Sequence, residues 1–252
     1  MSSNIELRLT PGESPVPLSD VTPEAVFDAP PARKLRNYKG RWSTPATYWF
    51  EKTAEHLRVD SKLERTRLML ADFDRSTVRA KPQPFQIIST IDGKKVTHIP
   101  DFFFAFAGTP GSYGVCNVRH PGGVASPPFV RAVRLVQDLG ALMGWTEEVW
   151  TGEMLDRTFF RNVRGLLAFR NPEVIPPAAL SAALAMQPAT LKDIGEHPVA
   201  GVEPEYVRGA VMHLLWHQRW TIDYSAQFTG STPLDHTPDK RRVAQGHQGA
   251  RR

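Results

Sequence analysis

The sequence predicts an α/β layer domain followed by a mostly helical module. Three observations carry that prediction. Between residues 61 and 151, helical spacing, β-rich runs and turn signals follow in the order helix, three-strand meander, helix, strand. Beyond residue 154 the apolar residues recur almost entirely at helical spacing. The chain has 252 residues, 41% of them hydrophobic and 23% charged, so it can bury a core without metal or disulfide staples.

Residues 1–58 read as an N-terminal arm. Pro11, Pro15, Pro17, Pro23, Pro30 and Pro31 punctuate a stretch with few large apolar side chains before Val26 and Phe27. A basic segment at 31–42 follows, interleaved with Tyr38 and Trp42, and then come Tyr48, Trp49 and Phe50. Cations mixed with aromatics grip nucleic acid by charge and stacking. Trp49 and Phe50 are better read as packing the arm onto the body.

The core is predicted over 59–151. Ser61-Lys-Leu-Glu64 matches a capping box, in which the Ser and Glu side chains satisfy the first amides of a helix. Leu63, Arg67 and Leu70 share a face of that helix, and Asp72-Phe-Asp74 closes it. Residues 84–91 are rich in β-formers, and Asp92-Gly93 supplies a hairpin turn. The return strand is predicted over 96–106, and its run Phe102-Phe-Phe-Ala-Phe106 suits a strand buried on both faces. A third strand is predicted over 113–119. Ser126 as N-cap, Pro127 in the first turn and Gly144 past the last bracket a helix, and Glu148-Val-Trp150 forms a fourth strand.

The module at 152–235 holds helices predicted over 154–169, 178–186 and 203–220. A short strand and turn at 221–230 would make it winged-helix-like. Residues 236–252 read as a basic disordered tail.

Charge is unevenly placed. The net +5 divides into −4 over residues 1–30, +5 over 31–42 and +4 over 237–252, leaving the body neutral. Arg33, Lys34, Arg36, Lys39 and Arg41 make up the first basic segment and are candidate DNA phosphate contacts. Solubilising tails would carry the same charge. A single cysteine, Cys116, excludes an internal disulfide framework and fits a reducing cytoplasm. No apolar run is long enough for a membrane span, and no secretory signal opens the sequence.

No phosphate-loop or dinucleotide fingerprint occurs, and one cysteine cannot build a zinc knuckle. His213-Leu-Leu-Trp-His217 puts two histidines on one helical face, as in zinc proteases. Leu214 stands where those enzymes need a glutamate, so packing or a polar helix face is the better reading.

The informative constellation is Glu64, Asp101 and Val115-Cys-Asn117-Val-Arg119. Asp101 opens an apolar strand, where a carboxylate must be solvated, paired or metal-bound. Asn117 and Arg119 share one face of the next strand by alternation. Pairing of those strands would set Asp101 beside them, with Glu64 reaching in from the preceding helix. Such oxygen ligands beside a cation make the geometry of a Mg²⁺ site acting on phosphate. Gln83 and His98 would support its walls.

Pro100-Asp101, followed by Asn117-x-Arg119 where an acid-x-lysine is usual, resembles restriction-endonuclease-like nucleases. A longer ordered match is similar to the TnsA family of transposase endonuclease subunits: Tyr38-Lys-Gly40, Ser61-x-Leu-Glu64, Leu70-Ala-Asp-Phe-Asp74, Gln83-Pro-Phe85 and His98-x-Pro-Asp-Phe102. Gly144-Trp145, Glu148-Val-Trp150, Asn162-Val-Arg164 and His213-Leu-Leu-Trp216 extend it, so that it spans roughly residues 33–230. The resemblance implies a restriction-endonuclease-like core and Mg²⁺-dependent cleavage, with Mn²⁺ as a substitute ion. The reaction implied is cutting of the 5′, non-transferred strand at double-stranded transposon ends. Implied partners are a DDE-type transposase and an AAA+ ATPase regulator, in the bacterial cytoplasm and on the nucleoid when DNA is bound. Carried over, Glu64, Asp101 and Asn117 would be metal ligands and Arg119 would take the catalytic lysine's place. An amide at 117 lowers metal affinity, and a guanidinium at 119 stabilises charge but cannot shed a proton. A degenerate subunit that binds transposase and DNA without cutting is the alternative. The next is a stand-alone DNA-binding regulator using the C-terminal module.

Overall fold

The computed structural model describes residues 5–33, 45–91, 93–108 and 111–236. The protein is mixed α/β and divides into two compact units, Met1–Glu153 and Met154–Arg252, close to the expected boundary after residue 151.

The first unit begins with strand β1, Glu6–Arg8, and helix α1, Pro23–Asp28, which is capped by the Thr22 hydroxyl accepting from the Ala25 N–H. Strands β2, Ala46–Phe50, and β3, Glu55–Val59, form a hairpin. Helix α2, Lys62–Phe73, starts at Ser61 and stops at Asp74, as its sequence punctuation predicts. Strand β4, Thr77–Pro82, follows, then β5, Gln86–Ile91, and β6, Lys94–His98. Ile91 pairs with Lys94, and Gly93 before it has φ +72°; Asp92 of the predicted turn lies outside the described residues. Strands β7, Phe102–Phe106, and β8, Tyr113–Val118, precede helix α3, Pro127–Met143, and strand β9, Thr146–Trp150.

The central sheet has the order β4-β7-β8-β9. Its first three strands are antiparallel, and β9 runs parallel to β8 after the α3 crossover. This differs from the predicted meander. The expected strand 96–106 is two strands in two sheets, β6 and β7, broken at Ile99-Pro100-Asp101. Pro100 has no N–H to continue a ladder, and the chain changes sheet there. The β5–β6 hairpin pairs instead with β1, in the order β1-β5-β6. The third central strand is β4, which the sequence did not announce.

The expected N-terminal arm is, where described, built into this unit. Leu7, Val26 and Phe27 join Phe85, Phe103, Leu135, Leu139 and Trp145 in one buried cluster. Phe103 is its hub, with ring centroids 5.2 Å from Phe27, 5.6 Å from Tyr113 and 4.7 Å from Trp145. On the other face of β7, Phe102 and Phe104 stack at 5.4 Å, and the Arg67 guanidinium of α2 lies 4.7 Å from the Phe104 ring. The apolar run is therefore buried on both faces, each fully buried aromatic contributing about 1.5–3 kcal/mol.

The second unit holds α4, Arg157–Leu166, α5, Pro177–Met186, the short α6, Asp193–Glu196, and α7, Pro204–Trp216. Helix α7 is its spine, burying Val207, Ala210, Val211, Leu214 and Leu215. Among the described residues the expected strand at 221–224 is only an isolated bridge, Thr221 to Asp235, so no sheet forms a wing. His236, placed by expectation in the tail, packs its ring against Trp220; residues 237–252 lie outside the described residues. No described helix is long and apolar enough to cross a membrane.

Candidate active site

A cavity of about 480 Å³ opens where α2 begins, β7 starts and β8 ends. Asp60, Glu64 and Asp101 line it together with Arg33, His98 and Arg119.

Glu64 is placed by its own helix cap. The Ser61 Oγ accepts from the Glu64 N–H at 3.1 Å and donates to its Oε1 at 2.8 Å. Oε2 accepts from the Asp60 N–H at 2.7 Å, one residue before the partner a standard capping box uses. The cap thus holds a buried carboxylate rigidly at the cavity. Burial raises its pKa, opposed chiefly by those same hydrogen bonds.

Asp101 is set by three backbone and side-chain bonds. Its N–H donates to the Cys116 carbonyl at 3.1 Å, its carbonyl accepts from the Gln83 N–H at 2.9 Å, and its Oδ2 accepts from the Val118 N–H at 2.7 Å. Among the described residues Oδ1 takes no hydrogen bond. Burial, and then the nearby charge of Glu64, push its pKa up to about 7, despite the Val118 bond. Two carboxylates that repel across one cavity are the arrangement a hard cation relieves.

Asn117 is not brought to the cavity wall. It is 1% exposed, and its Oδ1 meets the Nε2 of His98, which does line the cavity, at 2.6 Å. Among the described residues its buried Nδ2 has no partner. Burial lowers the pKa of His98, favouring a neutral ring. Arg119, one residue beyond β8, reaches the cavity and is exposed; its guanidinium lies 5.2 Å from the Phe129 ring. Gly123 makes room for it, since a Cβ there would meet Arg119 Nε at 2.6 Å.

Gln83, expected at the site's wall, stands behind it in a strained conformation. Its φ of +48° costs about 1–2 kcal/mol for a residue with a Cβ. That conformation lets its N–H reach Asp101, its carbonyl accept from Ala32 at 2.8 Å, and its Nε2 donate to Asp60 at 3.1 Å. Asp60 is a cavity carboxylate that sequence reasoning missed. It precedes an N-cap and belongs to no motif, and only the fold sets it beside Gln83 and in an ion pair with Arg33. Lys34, Arg36, Lys39 and Arg41 lie outside the described residues. In the second unit, His213 Nδ1 sits 2.7 Å from the Phe169 carbonyl and His217 Nε2 3.0 Å from that of Arg170. Both rings face backbone carbonyls, and His213 is buried with its ring centroid 4.3 Å from that of His217.

Among the described residues no group of three or more His, Cys, Asp or Glu side chains is placed to hold a metal ion. Mg²⁺, however, is commonly bound through one or two carboxylates, with phosphate and water completing its shell. The unpartnered Asp101 Oδ1 and the adjacent Glu64 fit that smaller donor set.

No protein-family model matches the chain, and no curated protein matches it either.

Proposed function

We propose that the chain is a TnsA-like DNA endonuclease subunit that hydrolyses the 5′ strand at transposon ends, acting with a DDE-type transposase and an AAA+ regulator. The observation that carries this reading is the convergence of Glu64 and Asp101, from different elements, on one cavity with Arg119 beside them. The order α2, three antiparallel strands, α3 and a parallel fourth strand supports a restriction-endonuclease-like core, with the β5–β6 hairpin as an insertion.

Glu64 and Asp101 would hold Mg²⁺, which when bound supplies Lewis-acid stabilisation of the phosphate and a more acidic water. The residues themselves do the positioning. Ser61 and the Asp60 N–H fix Glu64, while the Val118 N–H fixes one oxygen of Asp101 and leaves the other for the ligand. Arg119 offsets charge developing on phosphate oxygens, a role open to a guanidinium that cannot act as a base.

Titration calorimetry with Mn²⁺ tests the reading. Wild type is expected to bind the ion, and Glu64→Ala and Asp101→Ala to lose at least about tenfold in affinity. Equal binding by wild type and Asp101→Ala would contradict it.

One observation favours a second reading, a degenerate subunit that docks transposase and DNA without cutting. The Asn117 oxygen is engaged by His98 instead of facing the cavity. On that reading wild type binds no divalent ion, yet still binds DNA ends.

A further inference from the structure

Gln86 begins β5 directly opposite Arg8 of β1, and it lines the cavity while Arg8 does not. Arg8 Nη1 donates to the Gln86 Oε1 at 2.9 Å. Arg8 is anchored in turn, its Nε donating to the Glu13 carbonyl at 2.7 Å. An amide turns over readily because its oxygen and nitrogen have the same shape. Here the turn is opposed: a guanidinium only donates, so reversal would set N–H against N–H. The amide nitrogen is therefore committed to the side away from Arg8. Among the described residues nothing accepts its hydrogens, and the side chain is only half-buried.

The cavity lining therefore carries two kinds of group. Asp60, Glu64 and Asp101 are acceptors, whereas Gln86 on the hairpin, Arg33 and Arg119 present donors. Backbone phosphate oxygens are acceptors only, so a donor-only neutral group matches them without regard to sequence. We propose that Gln86 is a substrate-contact residue donating its amide hydrogens to a DNA phosphate oxygen, with Arg8 the positioning residue that fixes the amide's direction. This deepens the endonuclease reading of the same cavity and rests on it.

Fluorescence anisotropy with a short fluorescein-labelled duplex of arbitrary sequence, without divalent ions and over a range of NaCl concentrations, tests it. Gln86→Ala is expected to weaken binding about 3- to 10-fold. The slope of log affinity against log salt stays unchanged, since a neutral donor releases no counterion. Gln86→Glu weakens binding further, because a carboxylate oxygen then faces the phosphate. Arg8→Ala weakens it partially and Arg8→Lys, which keeps a donor on Oε1, restores it. Arg119→Ala, by contrast, reduces the slope by about one. Thermal melting of each variant separates lost contact from lost fold. Wild-type affinity in both Gln86 variants, with wild type itself binding the duplex, would overturn the proposal while leaving the endonuclease reading standing. A wild-type chain that does not bind duplex would overturn that reading, and the Gln86 contact with it.

Discussion

At Asp101 two demands meet on one carboxyl group. The Val118 N–H favours its charged form, whereas burial and the Glu64 charge favour the neutral one and win, pushing the pKa up to about 7. A raised acid pKa means the folded protein holds a proton that the unfolded chain has released. The resulting penalty is absent below about pH 4, grows as pH rises, and is complete above about pH 7. Asp101→Asn removes it, so the metal-free variant is expected to melt above wild type at pH 8 and close to it at pH 4. The free-energy difference at pH 8 is on the order of 2–4 kcal/mol. A variant no more stable than wild type at pH 8 would show that the buried charge is not under strain. Ser61 offers a second test. Ser61→Ala removes the cap and the hydroxyl that holds Glu64, and is expected to cost about 1 kcal/mol in chemical denaturation. It should also weaken Mn²⁺ binding, which loss of an unrelated cap would not do. Both carboxylates were legible in the sequence, one in a cap signature and one after a proline at a strand's mouth. Asp60 and Gln86 were not, because their importance lies in partners 27 and 78 residues away.

Elements with strong local punctuation were also legible. The Ser61 cap, the turn at Gly93, and the Pro127 and Gly144 boundaries of α3 each satisfy or forbid particular backbone bonds. Sheet membership was not. Strand β4 reads Thr-Val-Arg-Ala-Lys-Pro, too polar to stand out, and is a strand because Phe102–Phe106 pairs along it. The hairpin's move to a second sheet follows from Pro100 and from β1, a strand of three residues with no sequence signal of its own. That move places Gln86, Thr97 and His98 as a wall of the cavity. The corner between α3 and β9 is an exacting junction. A Cβ on Gly140 would lie 2.8 Å from the Trp145 carbonyl oxygen, and Trp145 packs on Phe85 and Phe103. Gly140→Ala is therefore expected to lower stability by about 1–3 kcal/mol, read as a shifted denaturation midpoint. An unchanged midpoint would mean that the corner yields freely.

On the scale of the molecule, a mixed α/β unit and a mostly helical unit are each compact. The regulator alternative assigns DNA binding to the C-terminal module, and the second unit starts at Met154. Helix α4 belongs to it, with Asn162 Nδ2 donating to the Tyr224 and Ala226 carbonyls at 2.8 and 2.7 Å. A fair test of that alternative uses a fragment from 154 onward. The central claim, that Glu64 and Asp101 serve metal-dependent strand cleavage, is reached most directly by cutting DNA. Transposon-end DNA labelled on each strand would be incubated with Mg²⁺ or Mn²⁺ and the adjacent transposase. Wild type would be compared with Asp101→Ala and with the double change Asn117→Asp, Arg119→Lys. Cleavage of the 5′ strand by wild type and its loss in Asp101→Ala is the expected result. Undiminished cutting by Asp101→Ala, or silence from wild type where the double change cuts, would contradict it.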